Sequence, residues 1–145
     1  MGVDLIPRLR KMRRYSMHYS LGGSDKVVVI FLFAGARGTA LEAVNTYNAY
    51  VKKSDALDLA DRLERLYRRL RKEDVRPIIE HRQTAPRDEL MKLVLAIARD
   101  IGAPEPPEGL REEMVQMISD PQWDWGYDLP HLIRLCRKGG GFWWC

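Results

Sequence analysis

The segment VVVIFLFAGA, residues 27–36, decides the fold class of this 145-residue chain, because its side chains suit either a strand or a helix. β-Branched and aromatic residues are enriched in strands, and they dominate residues 27–33. The apolar pattern nevertheless continues over residues 34–51 at spacings of three, four and seven, as a helix requires. We find no second convincing strand, and a lone strand has nothing to pair with. The segment is therefore predicted to be helical and the fold mainly α.

Two further segments are clearer helices. In residues 54–72, leucines recur at helical spacing, with acids in the first half and bases in the last turns, as the helix dipole prefers. Residues 85–102 repeat the apolar spacing. Two shorter helices are predicted at 108–119 and 128–138. The proline-rich segment PEPPEG, residues 104–109, is a stiff connector within the predicted helical domain, which spans residues 24–138.

The excess charge of the chain lies at its N-terminus. The net charge is +4; residues 1–20 hold five bases and one acid, and the other 125 residues hold 19 of each. Apolar residues at helical spacing, with Pro7 tolerated in a first turn, predict a basic N-terminal helical arm over residues 1–23. Its cations can neutralise phosphates while the flanking rings pack on sugars or protein. The predicted nucleic-acid-binding residues of the arm are Arg8, Arg10, Lys11, Arg13, Arg14, Tyr15, His18 and Tyr19. A membrane-surface helix or a solvated tail is the alternative.

The chain ends in GGGFWWC, residues 139–145, which the sequence predicts to be a detached tail. Exposed aromatic residues are typical anchors of subunit contacts. Phe142, Trp143 and Trp144 are therefore predicted to lie at a subunit interface. The two cysteines, Cys136 and Cys145, are either free thiols or the ends of one small loop.

No motif predicts catalysis. The segment FAGARGTALEAV, residues 33–44, can be drawn as a strand, a phosphate-binding turn and a helix start, but it lacks the GK[ST] ending and a third glycine. The three histidines form no recognisable ligand cluster. We therefore expect neither an enzyme nor a cofactor or metal. The longest apolar run is too short to span a bilayer and follows no signal peptide, which predicts a soluble intracellular protein without an integral membrane segment.

The chain also lacks a helix-turn-helix pattern and a Cys/His finger, so no element is predicted to read bases. Phosphate contacts position a protein without specifying sequence. The leading hypothesis is a structural protein that coats double-stranded DNA. One alternative is a small DNA-binding regulator or chromatin protein that uses the same arm. The other is a nucleotide-binding enzyme built on residues 33–44.

The basic arm, the compact helical remainder and the aromatic tail together resemble the major capsid proteins of filamentous viruses of hyperthermophilic archaea, the rudiviruses, lipothrixviruses and tristromaviruses. The resemblance implies a protein that pairs, with itself or a paralogous chain, and wraps double-stranded DNA in a helical filament. It also implies a location in the virion, and in the host cytoplasm during assembly. Residues 24–52 would continue the arm and bring Arg37, Lys52 and Lys53 near the DNA or the partner subunit.

Overall fold

The computed structural model describes residues 2–46, 48–73, 75–80, 84–120 and 124–145. The described part of the chain is mainly helical and carries one small antiparallel sheet. The α-helices are α1 (Leu21–Ala34), α2 (Thr39–Thr46), α3 (Lys53–Leu70), α4 (Arg76–Glu80), α5 (Arg87–Asp100), α6 (Glu108–Ser119) and α7 (Trp125–Lys138). The strands are β1 (Val3–Pro7), β2 (Met17–Tyr19), β3 (Ala49–Val51) and β4 (Phe142–Trp144), and a 3₁₀ helix (Arg10–Tyr15) joins β1 to β2.

The helical prediction for residues 27–33 is confirmed, since they lie within α1. Val27, Ile30, Phe31 and Phe33 are all buried, so this helix is enclosed on several sides and has no clear polar face. That burial explains why its composition suits a strand as well. Residues 33–44 accordingly begin in the last turn of a helix, and the strand needed for the proposed phosphate-binding turn is absent from this segment.

The other helical predictions hold with small changes. The helices predicted at 54–72, 85–102 and 108–119 correspond to α3, α5 and α6, and the segment before α6 is the expected connector. The helix predicted at 128–138 begins earlier, at Trp125. The reason is its cap: Asp124 Oδ1 accepts a hydrogen bond from the Tyr127 backbone N–H at 3.2 Å.

The prediction of a helical N-terminal arm is wrong. Residues 3–19 form β1, the 3₁₀ helix and β2, and β1 pairs with β2 in antiparallel register, with Asp4 opposite His18. Along β1, buried side chains alternate with partly exposed ones, which is the period of a strand. The apolar residues whose spacing suggested one helix belong to different elements, because β1 ends at Pro7 and the 3₁₀ helix follows it.

The prediction of a detached aromatic tail is also wrong. Strand β4 lies in the middle of the sheet, whose order is β2-β1-β4-β3, and Phe142 and Trp144 are 0% exposed. Gly141, just before β4, has a φ of 98°. A Cβ atom at Gly141 would lie 2.4 Å from Tyr50 Oη and 2.8 Å from the Val51 carbonyl oxygen. Glycine is therefore required here for a left-handed conformation and for close packing.

The sheet has two unlike faces. The inner face packs on the helical core, where the Trp144 ring centroid lies 5.6 Å from that of Phe31 in α1. We call the opposite side the outer face. On it the pairing places Ile6, Trp143 and Tyr50 side by side across β1, β4 and β3. The last residues of β1 and β3 lie at the same end of the sheet, on either side of β4, because Pro7 and Val51 both pair with Phe142.

Asp55 links three elements at this end of the sheet. Asp55 Oδ2 accepts hydrogen bonds from the Thr39 hydroxyl at 2.6 Å and from the Thr39 backbone N–H at 2.8 Å, and Thr39 Oγ1 accepts one from the Lys52 N–H at 3.0 Å. The hydrogen bonds from Thr39 hold the pKa of Asp55 below its ordinary value.

We expect Asp55→Ala to lower the free energy of unfolding by about 1–2 kcal/mol at pH 7, as loss of a helix cap does.

The pH dependence of this effect follows from the lowered pKa. The stabilisation by Asp55 is fully present above the unfolded-state pKa near 3.9 and is lost as the pH falls through the lower folded-state pKa. Urea denaturation at pH 7 and near pH 3 should show a difference between wild type and Asp55→Ala that narrows in acid. Glu105→Ala, at an exposed connector position, is the control and should change the free energy by less than about 0.5 kcal/mol at either pH. A difference for Asp55→Ala that is equal at both pH values would contradict a role for its ionised carboxylate.

Candidate nucleic-acid interface

The N-terminal cations are exposed and unneutralised. Arg8 follows β1, and Arg10, Lys11, Arg13 and Arg14 lie in the 3₁₀ helix. Within the part of the chain that the structure describes, none of the five lies in an ion pair. By contrast, six arginines elsewhere in the described ranges do form ion pairs: Arg37, Arg62, Arg68, Arg69, Arg87 and Arg137. The charge imbalance of the sequence therefore persists in three dimensions.

Lys52 and Lys53 lie at the same end of the sheet as the N-terminal cations. Arg8 and Lys52 directly follow Pro7 and Val51, which both pair with Phe142. The Arg8 N–H also donates a hydrogen bond to the Gly141 carbonyl oxygen at 2.9 Å. Since neighbouring strands lie about 4.8 Å apart, the Cα atoms of Arg8 and Lys52 are roughly 10 Å apart. Residues that are more than 40 positions apart in sequence thus share one surface.

Arg37 does not belong to this cluster. Its guanidinium makes two hydrogen bonds to the Asp58 carboxylate, at 3.1 and 3.0 Å, and these raise the pKa of Arg37. Asp58 also accepts a hydrogen bond from Arg62 at 2.9 Å. Because an acidic side chain already pairs with its charge, we leave Arg37 out of the cluster of unpaired cations.

The aromatic residues predicted to flank the cations occupy different environments. The Tyr15 ring lies close to two guanidinium groups, with its centroid 4.9 Å from that of Arg14 and 5.6 Å from that of Arg134. His18 is exposed, and its Nδ1 is hydrogen-bonded to the Asp4 carboxylate. Tyr19 is only 8% exposed, which makes its ring inaccessible to a nucleic acid, so the prediction for Tyr19 is wrong.

Helix α7 contributes two cations that the sequence reasoning missed. Arg134 and Lys138 are exposed and four residues apart, which places them on one side of the helix. Lys138 precedes Gly139, whose carbonyl oxygen accepts a hydrogen bond from the Leu9 N–H at 2.9 Å. The i,i+4 spacing of the two cations was the available signal. We define the basic face as Arg8, Arg10, Lys11, Arg13, Arg14, Lys52, Lys53, Arg134 and Lys138.

A surface cleft of about 370 Å³ borders the basic face between β2 and the start of α7. Its walls include the Tyr127 and His131 rings, stacked with centroids 4.3 Å apart. At its edge the Tyr19 hydroxyl donates a 3.5 Å hydrogen bond to Asp128 Oδ1. Burial and the nearby Asp128 carboxylate raise the pKa of Tyr19, which keeps this hydroxyl protonated. The cleft thus combines aromatic surface with hydrogen-bonding groups.

Only one of the three predicted interface aromatics is exposed. Phe142 and Trp144 lie in the core of the chain itself and cannot contact a second subunit. Trp143, on the outer face, is 48% exposed, and its ring lies 4.7 Å from that of Tyr50 between centroids. Trp143 is therefore the aromatic residue of this segment that a partner can reach.

The remaining predictions concern metals, thiols and membranes. In the described ranges, no cluster of three or more His, Cys, Asp or Glu side chains is arranged to hold a metal ion. Cys136 is buried and Cys145 exposed, both as free thiols, and burial raises the pKa of Cys136. Of the helices in these ranges, none has the length and apolar character needed to cross a bilayer.

Comparison with known proteins adds no assignment. No protein-family model, curated protein or solved structure matches the chain. The function must therefore be inferred from the charge and geometry of the basic face and from the aromatic surface beside it.

Proposed function

We propose that this protein binds nucleic acid through the phosphate backbone, without sequence specificity, and that double-stranded DNA is its partner. One observation carries the proposal: nine exposed cations from four separate elements lie around one end of the sheet, and within the described residues none of them lies in an ion pair. Such a surface attracts a polyanion by releasing the counterions condensed on it. The proposal assigns the chain no catalytic role.

The local structure of the basic segment supports binding without base recognition. Base reading in duplex DNA uses a helix or a two-stranded ribbon inserted in the major groove. The basic 3₁₀ helix has six residues and is therefore only about 12 Å long. The strands beside it bury their inner face in the core. Contacts to phosphates fit this arrangement better than contacts to base edges.

We extend the proposal to a coating role, in which copies of this chain, or of this chain and a paralogous one, pair and lie side by side along DNA. The resemblance to capsid proteins of filamentous archaeal viruses motivates this extension, with the virion as the site of function. The helical DNA-lining arm that the resemblance implies is replaced in this chain by β1, the 3₁₀ helix and β2. The coating role therefore depends on the basic face rather than on an arm.

Binding to random-sequence duplex DNA over a salt series tests the proposal. If five phosphates are neutralised, the log–log slope of affinity against salt should be about −4.5. Cooperative binding with particles that grow with protein concentration supports the coat. Saturation at one oligomer per preferred sequence supports the regulator instead. Absence of duplex binding between about 50 and 200 mM salt would contradict the proposal. Deletion of residues 1–20 is unsuitable here because it removes two strands of the sheet.

A further inference from the structure

The outer face presents an exposed tryptophan in a row of aromatic and apolar side chains. Trp143 lies on the central strand β4, with Ile6 beside it on β1 and Tyr50 beside it on β3. Trp143 is 48% exposed, although tryptophan is among the most costly side chains to leave in water. The Tyr50 ring supports it at 4.7 Å between centroids, inclined by 50°. The indole is therefore held in place by its neighbours and remains accessible.

Cations lie next to this aromatic row on the same face. Arg8 and Lys52 lie two residues beyond Ile6 and Tyr50, so strand alternation directs them to the outer face about 7 Å further along. Between them lies Gly141, which is buried because the Tyr50 hydroxyl packs against its backbone, 2.4 Å from where a Cβ atom would be. An aromatic platform is thus bordered by two cations, with the Tyr50 phenol covering the backbone between them.

We propose that the outer face binds an unpaired base by stacking on Trp143, with the adjoining phosphates at Arg8 and Lys52, so that the protein takes single-stranded nucleic acid as well as duplex. The inference rests on the proposed function, since it uses the same basic face. Aromatic platforms beside a cationic track are the general means by which proteins hold single strands, because every base has a face that can stack. In a duplex the bases already stack on each other, so they cannot stack on Trp143.

Charge favours a nucleic acid over a second copy of the chain as the occupant. If two copies stacked through their outer faces, two sets of unneutralised cations would approach each other and repel. Against this repulsion, the aromatic row offers a second copy only three side chains to bury, Ile6, Trp143 and Tyr50. A polyanion instead neutralises the cations as it covers the ring.

The experiment compares three substitutions for binding to a short oligothymidylate and to a random-sequence duplex. Trp143→Leu keeps an apolar side chain but removes the ring, and it should weaken binding to the single strand by about 5- to 100-fold, as loss of one stacked base does. Trp143→Phe keeps a ring and should restore most of that affinity. Leu57→Ala, at an apolar position on α3 that is 39% exposed, is the control and should leave both affinities unchanged. Duplex affinity should change less than twofold in all three.

The outcomes separate this inference from the proposed function. If the duplex is bound with a steep salt slope but Trp143→Leu leaves single-strand affinity unchanged, the stacking inference is overturned and the proposed function stands. If wild type binds neither ligand, both are overturned. If sedimentation shows a dimer that Trp143→Leu dissociates while single-strand affinity is unchanged, a second copy occupies the outer face and the inference is wrong.

Discussion

Trp144→Ala is expected to lower the free energy of unfolding by about 3–5 kcal/mol, the range for truncating a fully buried tryptophan. Trp144 is 0% exposed, packs against Phe31 of α1, and lies on a strand that is paired on both sides. Total stabilities of domains are about 5–15 kcal/mol, so the variant would lose a large share of its stability. Urea denaturation followed by far-ultraviolet circular dichroism would measure the difference.

The neighbouring residue supplies a matched control. Trp143 has the same side chain and lies on the same strand but points to the outer face, where it is half exposed and packs on Tyr50, so Trp143→Ala should cost only about 1–2 kcal/mol. A helical protein with a detached tail would tolerate both changes equally. Equal and small effects would therefore contradict the placement of β4 in the sheet, whereas a large difference supports it.

The helices could be predicted from sequence because their signals are local. In α3 the buried leucines Leu59, Leu63, Leu66 and Leu70 repeat within one segment, and the charges at each end agree with the dipole. The α1 segment was harder, because a helix buried on several sides loses the polar face that marks it. The absence of a convincing partner strand favoured the correct answer there, although the chain does contain short strands elsewhere.

The sheet could not be predicted because its pairing is non-local and its strands are short. Leu5 pairs with Trp144, almost the whole chain away, and three of the four strands in the described ranges have only three residues. A strand of three residues shows too little alternation to distinguish it from a loop. Residues 139–145 were predicted to be a detached tail, but Gly141 is required by its positive φ and by its approach to Tyr50.

The sequence was enough to predict that the candidate site is basic, but not which residues belong to it. The cluster of cations in residues 8–14 is visible in the sequence, and its charge remains unneutralised in the fold. Arg37 is paired with Asp58, which lies on a later helix, α3. Tyr19 is buried and forms a hydrogen bond with Asp128, which is more than 100 residues away. Lys52 joins the cluster only through the pairing of β3 with β4. Such relations appear only when the elements are assembled.

Neutralising the N-terminal cations should have the largest effect on binding. The variant replaces the five exposed bases of the first strand end and the 3₁₀ helix by glutamine: Arg8, Arg10, Lys11, Arg13 and Arg14. Each phosphate contact that the variant loses makes the log–log salt slope less negative by about 0.9. It also lowers the affinity at 0.1 M salt almost tenfold. Affinity for random-sequence duplex DNA should therefore fall about 10³-fold or more, and the slope should flatten by about 4 to 5. Fluorescence anisotropy at several salt concentrations would measure both.

A second variant with the same change in net charge distinguishes a binding surface from a general electrostatic effect. It replaces five exposed bases on α4, on α5 and in the segment after α3 by glutamine: Arg71, Lys72, Arg76, Lys92 and Arg99. Both variants carry five fewer positive charges, and exposed substitutions of this kind leave stability within about 0.5 kcal/mol each. If the basic face contacts phosphates, the second variant should lose less than about tenfold in affinity and keep its salt slope, because long-range charge is screened within about 10 Å at this salt. Equal losses in the two variants would show that net charge alone attracts the DNA, and the basic face would then have no special role.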